Sequence, residues 1–540
     1  MKMQNMKFAG ILLVIIALVA LMIPVVSMAD PPDDGTLIIH KYVMPDKSTA
    51  TQDGTGAAIT GDITAQPGDG DAVALDGVTF KIYKVSLSAS DPYPASGAIT
   101  LTNLSDPTVG FTDSAGNAYT VTAVPAPNAA LTTTGVTTAG GGIASTGVIP
   151  QGIYLVVEQG GNPDVTSPSD PFIVAVPMTD PSGSGWLNPV NVYPKNEMLT
   201  ITKAESVEAV NVGDPVTYTI TPAVPSDLAK TTSYRITDTL DPALDFVNVS
   251  SVKAATTKAG LAAATDLNAS YYSVAPTSAQ AGGGTVTVSF TSTGLKYLAD
   301  NGIRFLQITL NTTVNSAILD AAHGCVVEND AQIKFTNSYN EAKEVDSNKV
   351  YIHTVKISVL KEDGTTHTLL DGAKFKIASS SSNAANGYFL RQDPVTGNIC
   401  DYNTTQWQTL GAAADYTVET GVPTAGSGTA TFAGLKDYTG MATKVNQTYY
   451  LVETAAPANY NMLTSPIPVA LDTTTALTPA VGNNYTVTVT VDNNKGFTLP
   501  KTGAAGVAIF TVVGIALIGF AIVLIVNMKK KKETTDNQII

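Results

Sequence analysis

The chain has 540 residues, which suggests about three or four domains. Its 45 glycines and 30 prolines, together with abundant threonine and valine, favour β-rich domains with many turns. The formal net charge of −15 argues against nucleic acid and anionic membrane surfaces as partners. The two cysteines, Cys325 and Cys400, lie far apart and predict no disulfide framework.

The N-terminal segment predicts a cleaved export signal. Lys2 and Lys7 precede an apolar run, and Ser27-Met28-Ala29 then provides a small-x-small cleavage pattern. Residues 1–29 are therefore interpreted as a signal peptide, and the mature chain is expected to begin at Asp30. A retained anchor helix is the alternative, but the apolar run is short for a bilayer span.

The C-terminal segment combines a short motif, an apolar run and a basic end. The motif consists of Leu499, Pro500, Lys501, Thr502 and Gly503. Residues 504–527 follow it and are long and apolar enough to span a membrane. A tail at residues 528–540 follows, and the lysines at 529–532 should hold it inside the cell. This combination resembles a cell-wall sorting signal, which a sortase would cleave between Thr502 and Gly503.

Between these segments, three β-rich domains are predicted, at residues 30–196, 197–351 and 352–498. Successive strand residues face opposite sides, so each strand can be divided into two faces. In each domain, an early lysine, a later acid and a closing asparagine are in phase with apolar residues. The lysines are Lys41, Lys203 and Lys361, the acids are Glu158, Asp238 and Glu453, and the asparagines are Asn196, Asn348 and Asn493.

These groups permit a specific chemistry if they are buried together. Burial favours a neutral, nucleophilic lysine amine and a protonated carboxyl group. The amine can then attack the asparagine carbonyl while the acid transfers protons and ammonia leaves, which gives a Lys–Asn isopeptide bond. The alternative for each domain is a buried ion pair between the lysine and the acid. Three occurrences of one arrangement favour the chemistry.

The segment that closes the first predicted domain presents another lysine. Val190, Val192 and Asn196 share one strand face, so Lys195 is expected on the opposite, outward face. Pro194 cannot donate to a ladder, which places the segment at an edge or a domain end. A solvated lysine is the simplest interpretation of this geometry.

The longer pattern around Lys195 resembles the pilin motif of Gram-positive sortase-assembled pili. The matching residues are Trp186, Val190, Val192, Tyr193, Pro194 and Lys195. In that family the lysine is the nucleophile that joins one subunit to the next, and the resemblance implies this role for Lys195. Residues 449–460 also resemble the E-box of the family, with Asn459 where glycine is usual.

The resemblance implies a backbone pilin with an all-β fold. It implies tandem Ig-like β-sandwich domains, of CnaB type in the first and third positions and CnaA type in the second. Internal isopeptide bonds are implied in the three groups above, with a structural rather than an enzymatic role and no cofactor. The expected partners are other copies of the chain joined head to tail, a class C pilin sortase, a housekeeping sortase, peptidoglycan, accessory pilins and host surface ligands. The expected location is a secreted pilus anchored to the cell wall.

Three other classes of protein share single features with this sequence. A wall-anchored adhesin that is never polymerised would carry the same sorting signal, but it has no use for the motif that ends at Lys195. A metal-dependent adhesin needs an Asp-x-Ser-x-Ser pattern, which residues 180–184 match, but no α/β pattern surrounds them. An enzyme is disfavoured because the four histidines show no metal-ligand or catalytic-triad spacing. No metal site is therefore predicted.

Overall fold

A computed structural model describes most of the chain between Asp30 and Asp536. The described residues are 30–44, 54–59, 72–88, 90–95, 97–103, 106–159, 162, 165–183, 185–337, 341–402, 413–471, 485–496 and 505–536, with side chains of the last range described for 511–530. The all-β prediction is confirmed, because the described residues form 38 strands and four α-helices.

Domain 1 contains the first fifteen strands. They are β1 Asp34–His40, β2 Tyr42–Met44, β3 Val73–Ala74, β4 Thr79–Ser86, β5 Thr100–Leu101, β6 Phe111–Thr112, β7 Ala118–Ala123, β8 Val136–Thr137, β9 Ile143–Pro150, β10 Gly152–Glu158, β11 Phe172–Val176, β12 Met178–Thr179, β13 Trp186–Leu187, β14 Val190–Val192 and β15 Lys195–Glu197, with helix α1 at Ala130–Thr133. One sheet has the order β14-β1-β9, and the larger one has the order β11-β10-β4-β7-β6-β5, with β8 paired to β4. Strand β15 pairs with β2 in a third sheet.

Domain 2 contains the next eleven strands in two main sheets. They are β16 Ile201–Glu205, β17 Pro215–Pro222, β18 Tyr234–Leu240, β19 Leu244–Ala255, β20 Tyr272–Ala275, β21 Gly284–Phe290, β22 Phe305–Val314, β23 Val326–Asn329, β24 Ala331–Thr336, β25 Ala342–Asp346 and β26 Val350–His353, with helix α2 at Ser292–Asp300. The sheets have the orders β16-β17-β22-β19 and β20-β21-β18-β24-β25, and β23 pairs with β26. The Thr291 hydroxyl caps α2 by accepting the Gly294 N–H at 3.1 Å.

Domain 3 contains the remaining strands. They are β27 Val355–Asp363, β28 Lys374–Ala378, β29 Arg391–Gln392, β30 Ile399–Cys400, β31 Ala414–Asp415, β32 Thr417–Glu419, β33 Thr429–Leu435, β34 Tyr438–Thr439, β35 Val445–Asn446, β36 Thr448–Ala455, β37 Ile467–Ala470 and β38 Thr486–Asn493, with helix α3 at Ser381–Ala385. The two main sheets have the orders β33-β27-β38 and β32-β28-β36-β37. Every second residue of β27, from Val355 to Asp363, is buried, as a strand with one face on a core requires.

The first and last strands of domains 1 and 3 lie side by side and run parallel. In domain 1, strand β14 pairs with β1, and the next strand, β15, pairs with β2. Strand β38 pairs with the whole length of β27 in domain 3. Force applied to the two ends of such a domain therefore loads a parallel strand pair along its length. This topology also brings early lysines close to late asparagines.

The fourth helix, α4, forms the C-terminal part of the chain at Ala505–Asp536. Its stretch Thr511–Lys530 is 20 residues long with a mean hydropathy of 2.5, which is long and apolar enough to cross a membrane. The lysines at 529–532 come directly after the most apolar part. This helix fits the predicted sorting signal.

Candidate linkage and cross-link sites

The three predicted residues of domain 1 form one buried, hydrogen-bonded group. Lys41 lies between β1 and β2, Glu158 ends β10, and Asn196 is the central residue of β15. The Lys41 Nζ lies 2.9 Å from Glu158 Oε2 and also donates to Asn196 Oδ1. The Asn196 Nδ2 donates to Glu158 Oε1 at 2.6 Å. All three residues are at most 2% exposed, so the carboxyl bridges the amine and the amide away from water.

Domain 1 also supplies a contact that the sequence analysis missed. The main-chain N–H of Ser169 donates to Asn196 Oδ1 at 2.7 Å and to Glu158 Oε2 at 3.1 Å. Its hydroxyl donates to Glu158 Oε2 at 2.7 Å. Ser169 is buried in the irregular segment between β10 and β11, where a strand pattern gives no signal.

In domain 3, Glu453 and Asn493 meet as their counterparts in domain 1 do, but the Lys361 amine bonds the backbone instead of either side chain. Asn493 Nδ2 donates to Glu453 Oε1 at 2.9 Å, while Asn493 Oδ1 is buried and makes no hydrogen bond. Lys361 is fully buried, and its Nζ donates to the carbonyl of Val491 at 2.8 Å, two residues before Asn493. The next residue, Asn494, is exposed. Asn493 is therefore the asparagine that the structure brings to this lysine.

Electrostatics in domain 3 favour a reactive amine. Burial lowers the pKa of Lys361 to about 8, although the negative charges of Glu453 and Asp492 oppose that shift. A lysine with this pKa is neutral in roughly a tenth of the molecules at pH 7. The neutral form carries the lone pair that a nucleophile needs.

In domain 2, the lysine and the acid meet as predicted. The Lys203 Nζ lies 2.5 Å from Asp238 Oδ2, and both side chains are buried. Burial lowers the pKa of Lys203 and raises the pKa of Asp238, while the charge of each partner opposes the shift of the other. The Tyr218 ring lies below the amine, with 4.7 Å between Nζ and the ring centroid. Both shifts favour the neutral forms that the proposed chemistry requires.

The structure corrects the asparagine predicted for domain 2. Asn348 is exposed, and its amide bonds the main chain of Lys203, accepting from its N–H at 3.0 Å and donating to its carbonyl at 2.9 Å. It is therefore directed at the backbone of the lysine and not at the amine. It precedes strand β26, so the alternation that was used to assign its face does not apply to it.

Asn329 is a buried asparagine near Asp238, the acid that pairs with Lys203. It is 2% exposed and ends β23, and the next residue, Asp330, accepts a hydrogen bond from Lys203 Nζ at 3.0 Å through its carbonyl. The Asn329 amide contributes to lowering the pKa of Asp238, yet neither its Oδ1 nor its Nδ2 has hydrogen-bond geometry to a partner. The Asn329 amide is therefore buried close to the Asp238 carboxyl group, without an aligned hydrogen bond between them.

The pilin motif residues lie at one end of domain 1. Trp186 is in β13, Val190 and Val192 are in β14, and Lys195 begins β15. Val190 is fully buried, whereas Lys195 is half-buried. Because Asn196 faces the core, the alternation in β15 directs Lys195 to the opposite side.

Tyr193 is fixed by contacts on both sides of the motif. Its hydroxyl accepts the N–H of Ile59 at 2.7 Å, and its ring stacks on His40 with 4.7 Å between the centroids. The imidazole of His40 in turn forms a 3.0 Å hydrogen bond with the side chain of Asn191. The strand that leads to Lys195 is thus held rigidly before Pro194.

A groove of about 330 Å³ runs beside the motif. It lies between β11 and β14, which are edge strands of the two main sheets of domain 1. Its lining includes Phe172, Val174, Met178, Val192, Tyr193 and Pro194. The groove is mainly apolar and reaches Pro194, the residue before Lys195.

The Asp-x-Ser-x-Ser sequence is explained by local structure. Asp180 begins the turn between β12 and β13, where its Oδ1 accepts the N–H of Ser182 at 2.7 Å. Among the described residues, no cluster of three or more histidines, cysteines, aspartates or glutamates is arranged to hold a metal ion.

Family models match three parts of the chain. The model of the Gram-positive pilin subunit D1, N-terminal domain, matches residues 32–197. The model of the SpaA prealbumin-like fold domain matches residues 355–486, and that of the LPXTG cell wall anchor motif matches residues 491–534.

Two curated relatives and one solved structure extend this similarity. Fimbrial subunit type 1 of Actinomyces viscosus is 28% identical over 439 residues, which cover 73% of this chain and 76% of the relative. Fimbrial subunit type 2 of Actinomyces naeslundii is 27% identical over 544 residues, which cover 93% and 91%. The full-length major pilin SpaD of Corynebacterium diphtheriae has a similar fold, with a TM-score of 0.52 and 22% identity over 86% of this chain and 98% of that one.

The chain thus carries a Gram-positive pilin domain, a SpaA prealbumin-like domain and an LPXTG anchor in the order given, and it is similar to fimbrial subunits over most of its length. It is a pilus backbone subunit that is anchored to the cell wall at the surface, and it has a sortase and other pilus subunits as partners. The predicted signal peptide at residues 1–29 and the motif Leu499–Gly503 lie outside the described residues.

Proposed function

We propose that Lys195 and Thr502 are the two residues through which subunits are joined. A pilin sortase of class C would cleave the Thr502–Gly503 bond and hold the Thr502 carbonyl as an acyl-enzyme. The Lys195 amine of another subunit would attack that carbonyl, form an amide bond and release the sortase thiol. A housekeeping sortase would attach the finished polymer to peptidoglycan. Accessory pilins and host surface ligands would be further binding partners of the pilus.

The setting of Lys195 supports this role. The side chain begins a short strand at a domain end, on the face opposite the buried Asn196. The groove beside it runs along β11, an edge strand, and such edges bind extended peptides through main-chain hydrogen bonds. An apolar lining fits the leucine and proline that precede Thr502 in the sorting motif. We therefore assign the groove to the incoming sorting segment.

We further propose three internal isopeptide bonds, Lys41–Asn196, Lys203–Asn329 and Lys361–Asn493. In each, the lysine Nζ attacks the asparagine Cγ, the Nζ–Cγ bond forms, and the Cγ–Nδ2 bond breaks. The adjacent acid, Glu158, Asp238 or Glu453, takes the amine proton and passes it to the leaving group, which departs as ammonia. The observation that carries this proposal is the carboxyl of Glu158, which bridges the Lys41 amine and the Asn196 amide in a fully buried site.

Such bonds would change both stability and mechanics. By analogy with the entropic model of disulfides, a bond that closes more than a hundred residues is worth roughly 5 kcal/mol. In domains 1 and 3 it would also join first and last strands that lie parallel. A pulling force could then no longer slide these strands past one another, which suits a subunit of an extended fibre.

The intact mass of the mature chain tests the cross-links directly. Each bond removes one ammonia, about 17 Da, so the recombinant protein should weigh about 51 Da less than its sequence. Peptide mapping should recover three branched peptides that contain the lysine and asparagine pairs named above. A mass equal to that of the unmodified sequence would contradict the proposal for all three domains.

Replacement of Glu453 by glutamine should prevent the bond in domain 3. Glutamine keeps the shape and can still accept the Leu463 N–H, which bonds Glu453 Oε2 at 2.7 Å, but it cannot take the proton of Lys361. We expect a folded protein with a shortfall of about 34 Da and a trypsin-sensitive last domain. The matched control is Glu419→Gln, which changes an exposed pair with Lys374 and should keep the full shortfall. A linked Lys361–Asn493 peptide in the Glu453→Gln protein would show that the bond forms without Glu453.

A further inference from the structure

Ser169 donates two hydrogen bonds to Glu158, the acid of domain 1. The corresponding acid of domain 3, Glu453, receives one hydrogen bond from the corresponding position. Glu158 Oε2 accepts the Ser169 hydroxyl at 2.7 Å, the Ser169 N–H at 3.1 Å and the Lys41 amine at 2.9 Å. The other oxygen, Oε1, accepts the amide of Asn196. In all four contacts the Glu158 carboxyl group is the acceptor.

Leu463 holds the corresponding place in domain 3. It follows Glu453 by 10 residues, as Ser169 follows Glu158 by 11, and its N–H donates to the same oxygen, Oε2, at 2.7 Å. The leucine side chain has no donor, so the acid of domain 3 lacks the hydroxyl contact that Ser169 makes. The Lys361 amine there donates to a backbone carbonyl instead.

The additional hydroxyl contacts Glu158 Oε2, the oxygen that lies nearest the Lys41 amine and would take its proton. A hydrogen bond to a carboxylate is roughly twice as strong as one to a neutral carboxyl group. Transfer of a proton from Lys41 to this oxygen therefore weakens the bond from the Ser169 hydroxyl, which adds to the barrier for freeing the amine. An ammonium ion has no lone pair, so it cannot attack Asn196.

We propose that Ser169 is a positioning residue whose hydroxyl slows formation of the Lys41–Asn196 bond by binding Glu158 Oε2, the oxygen that would take the Lys41 proton. The inference rests on the proposed cross-link chemistry and adds a rate-setting residue to it. The Ser169 N–H has a different effect, because it donates to Asn196 Oδ1, the atom on which negative charge develops during attack. Substitution of the side chain removes the hydroxyl and leaves this N–H in place.

Ser169→Ala tests the proposal in the full mature chain. Cell-free synthesis for a short pulse, followed by sampling over time and peptide mass mapping, gives the linked fraction in domain 1. The Lys361–Asn493 bond in the same molecules serves as an internal clock. We expect the alanine protein to form its Lys41–Asn196 bond about five to ten times faster, since it loses one charge-assisted hydrogen bond. Ser169→Thr keeps a hydroxyl and should retain the wild-type rate.

The reciprocal change tests the same idea in domain 3. Leu463→Ser should slow the Lys361–Asn493 bond relative to Leu463→Ala, which loses the same packing without gaining a hydroxyl.

A merely structural role for Ser169 would leave the rate of Lys41–Asn196 bond formation in the Ser169→Ala protein unchanged or lower. Either result would overturn the inference while the cross-link proposal stood. If neither wild type nor Ser169→Ala forms the domain 1 bond while domain 3 links normally, the cross-link proposal fails for domain 1, and the role of Ser169 fails with it.

Discussion

Replacing Lys195 by alanine is expected to abolish the pilus polymer and leave only monomer on the wall. Each junction would need the amine of Lys195, so its loss removes every intersubunit bond at once, whereas the sorting motif still allows wall attachment. Wild-type wall extract in boiling detergent should show a ladder of high-mass bands on an immunoblot. The Lys195→Ala strain should show a single band.

Two matched variants separate the chemistry from the fold. Lys195→Arg keeps the positive charge, but its guanidinium stays protonated and is not a nucleophile, so it should also abolish the ladder. Lys81→Ala removes another half-buried lysine of domain 1 and should leave the ladder intact. A ladder that persists in Lys195→Ala would assign the junction to a different lysine. A single band in the wild type would favour the wall-anchored adhesin.

Alternation along strands predicted most of the candidate groups. Lys41, Lys361 and Asn493 were assigned to core faces from their phase with neighbouring apolar residues, and all three are fully buried. The rule works for Lys41 although this residue lies between two strands, because Leu37, Ile39 and Lys41 remain in phase as the chain passes from β1 to β2. Side chains continue to alternate between the two faces wherever the backbone stays extended.

The same rule failed for Asn348 because residues 347–349 precede strand β26. Asn329 carries the burial signal that Asn348 lacks. It has the same parity as Ala331, Ile333 and Phe335 of β24, and all four residues are buried. A polar residue in phase with such an apolar run is expected to face the core.

Ser169 could not be predicted, because its contact depends on the tertiary fold. It lies outside any strand, and an irregular segment after β10 returns it to the acid at the end of that strand. The groove beside Lys195 has the same origin, since it forms between edges of two different sheets. A sequence pattern shows which face of a strand is buried. The Ser169 contact and the groove depend instead on how separate segments pack against one another.

Replacing Asn329 by alanine should remove the cross-link of domain 2, whereas replacing Asn348 should not. The structure places the Asn329 amide in the buried site with Lys203 and Asp238, and it places Asn348 on the exposed side of the Lys203 backbone. Relative to its own sequence, Asn329→Ala should therefore be lighter by about 34 Da, and Asn348→Ala should keep the full shortfall of about 51 Da.

Stability should separate the same two variants. Without its bond, domain 2 loses roughly 5 kcal/mol of unfolding free energy by the disulfide analogy, and the Lys203–Asp238 pair remains buried without its third partner. Asn348→Ala loses two hydrogen bonds to the main chain of Lys203 at an exposed position, which costs about 1–2 kcal/mol. Denaturant unfolding together with peptide mapping measures both effects. A Lys203–Asn348 branched peptide in wild type, with an unchanged shortfall in Asn329→Ala, would overturn the reassignment and restore Asn348 as the reacting residue.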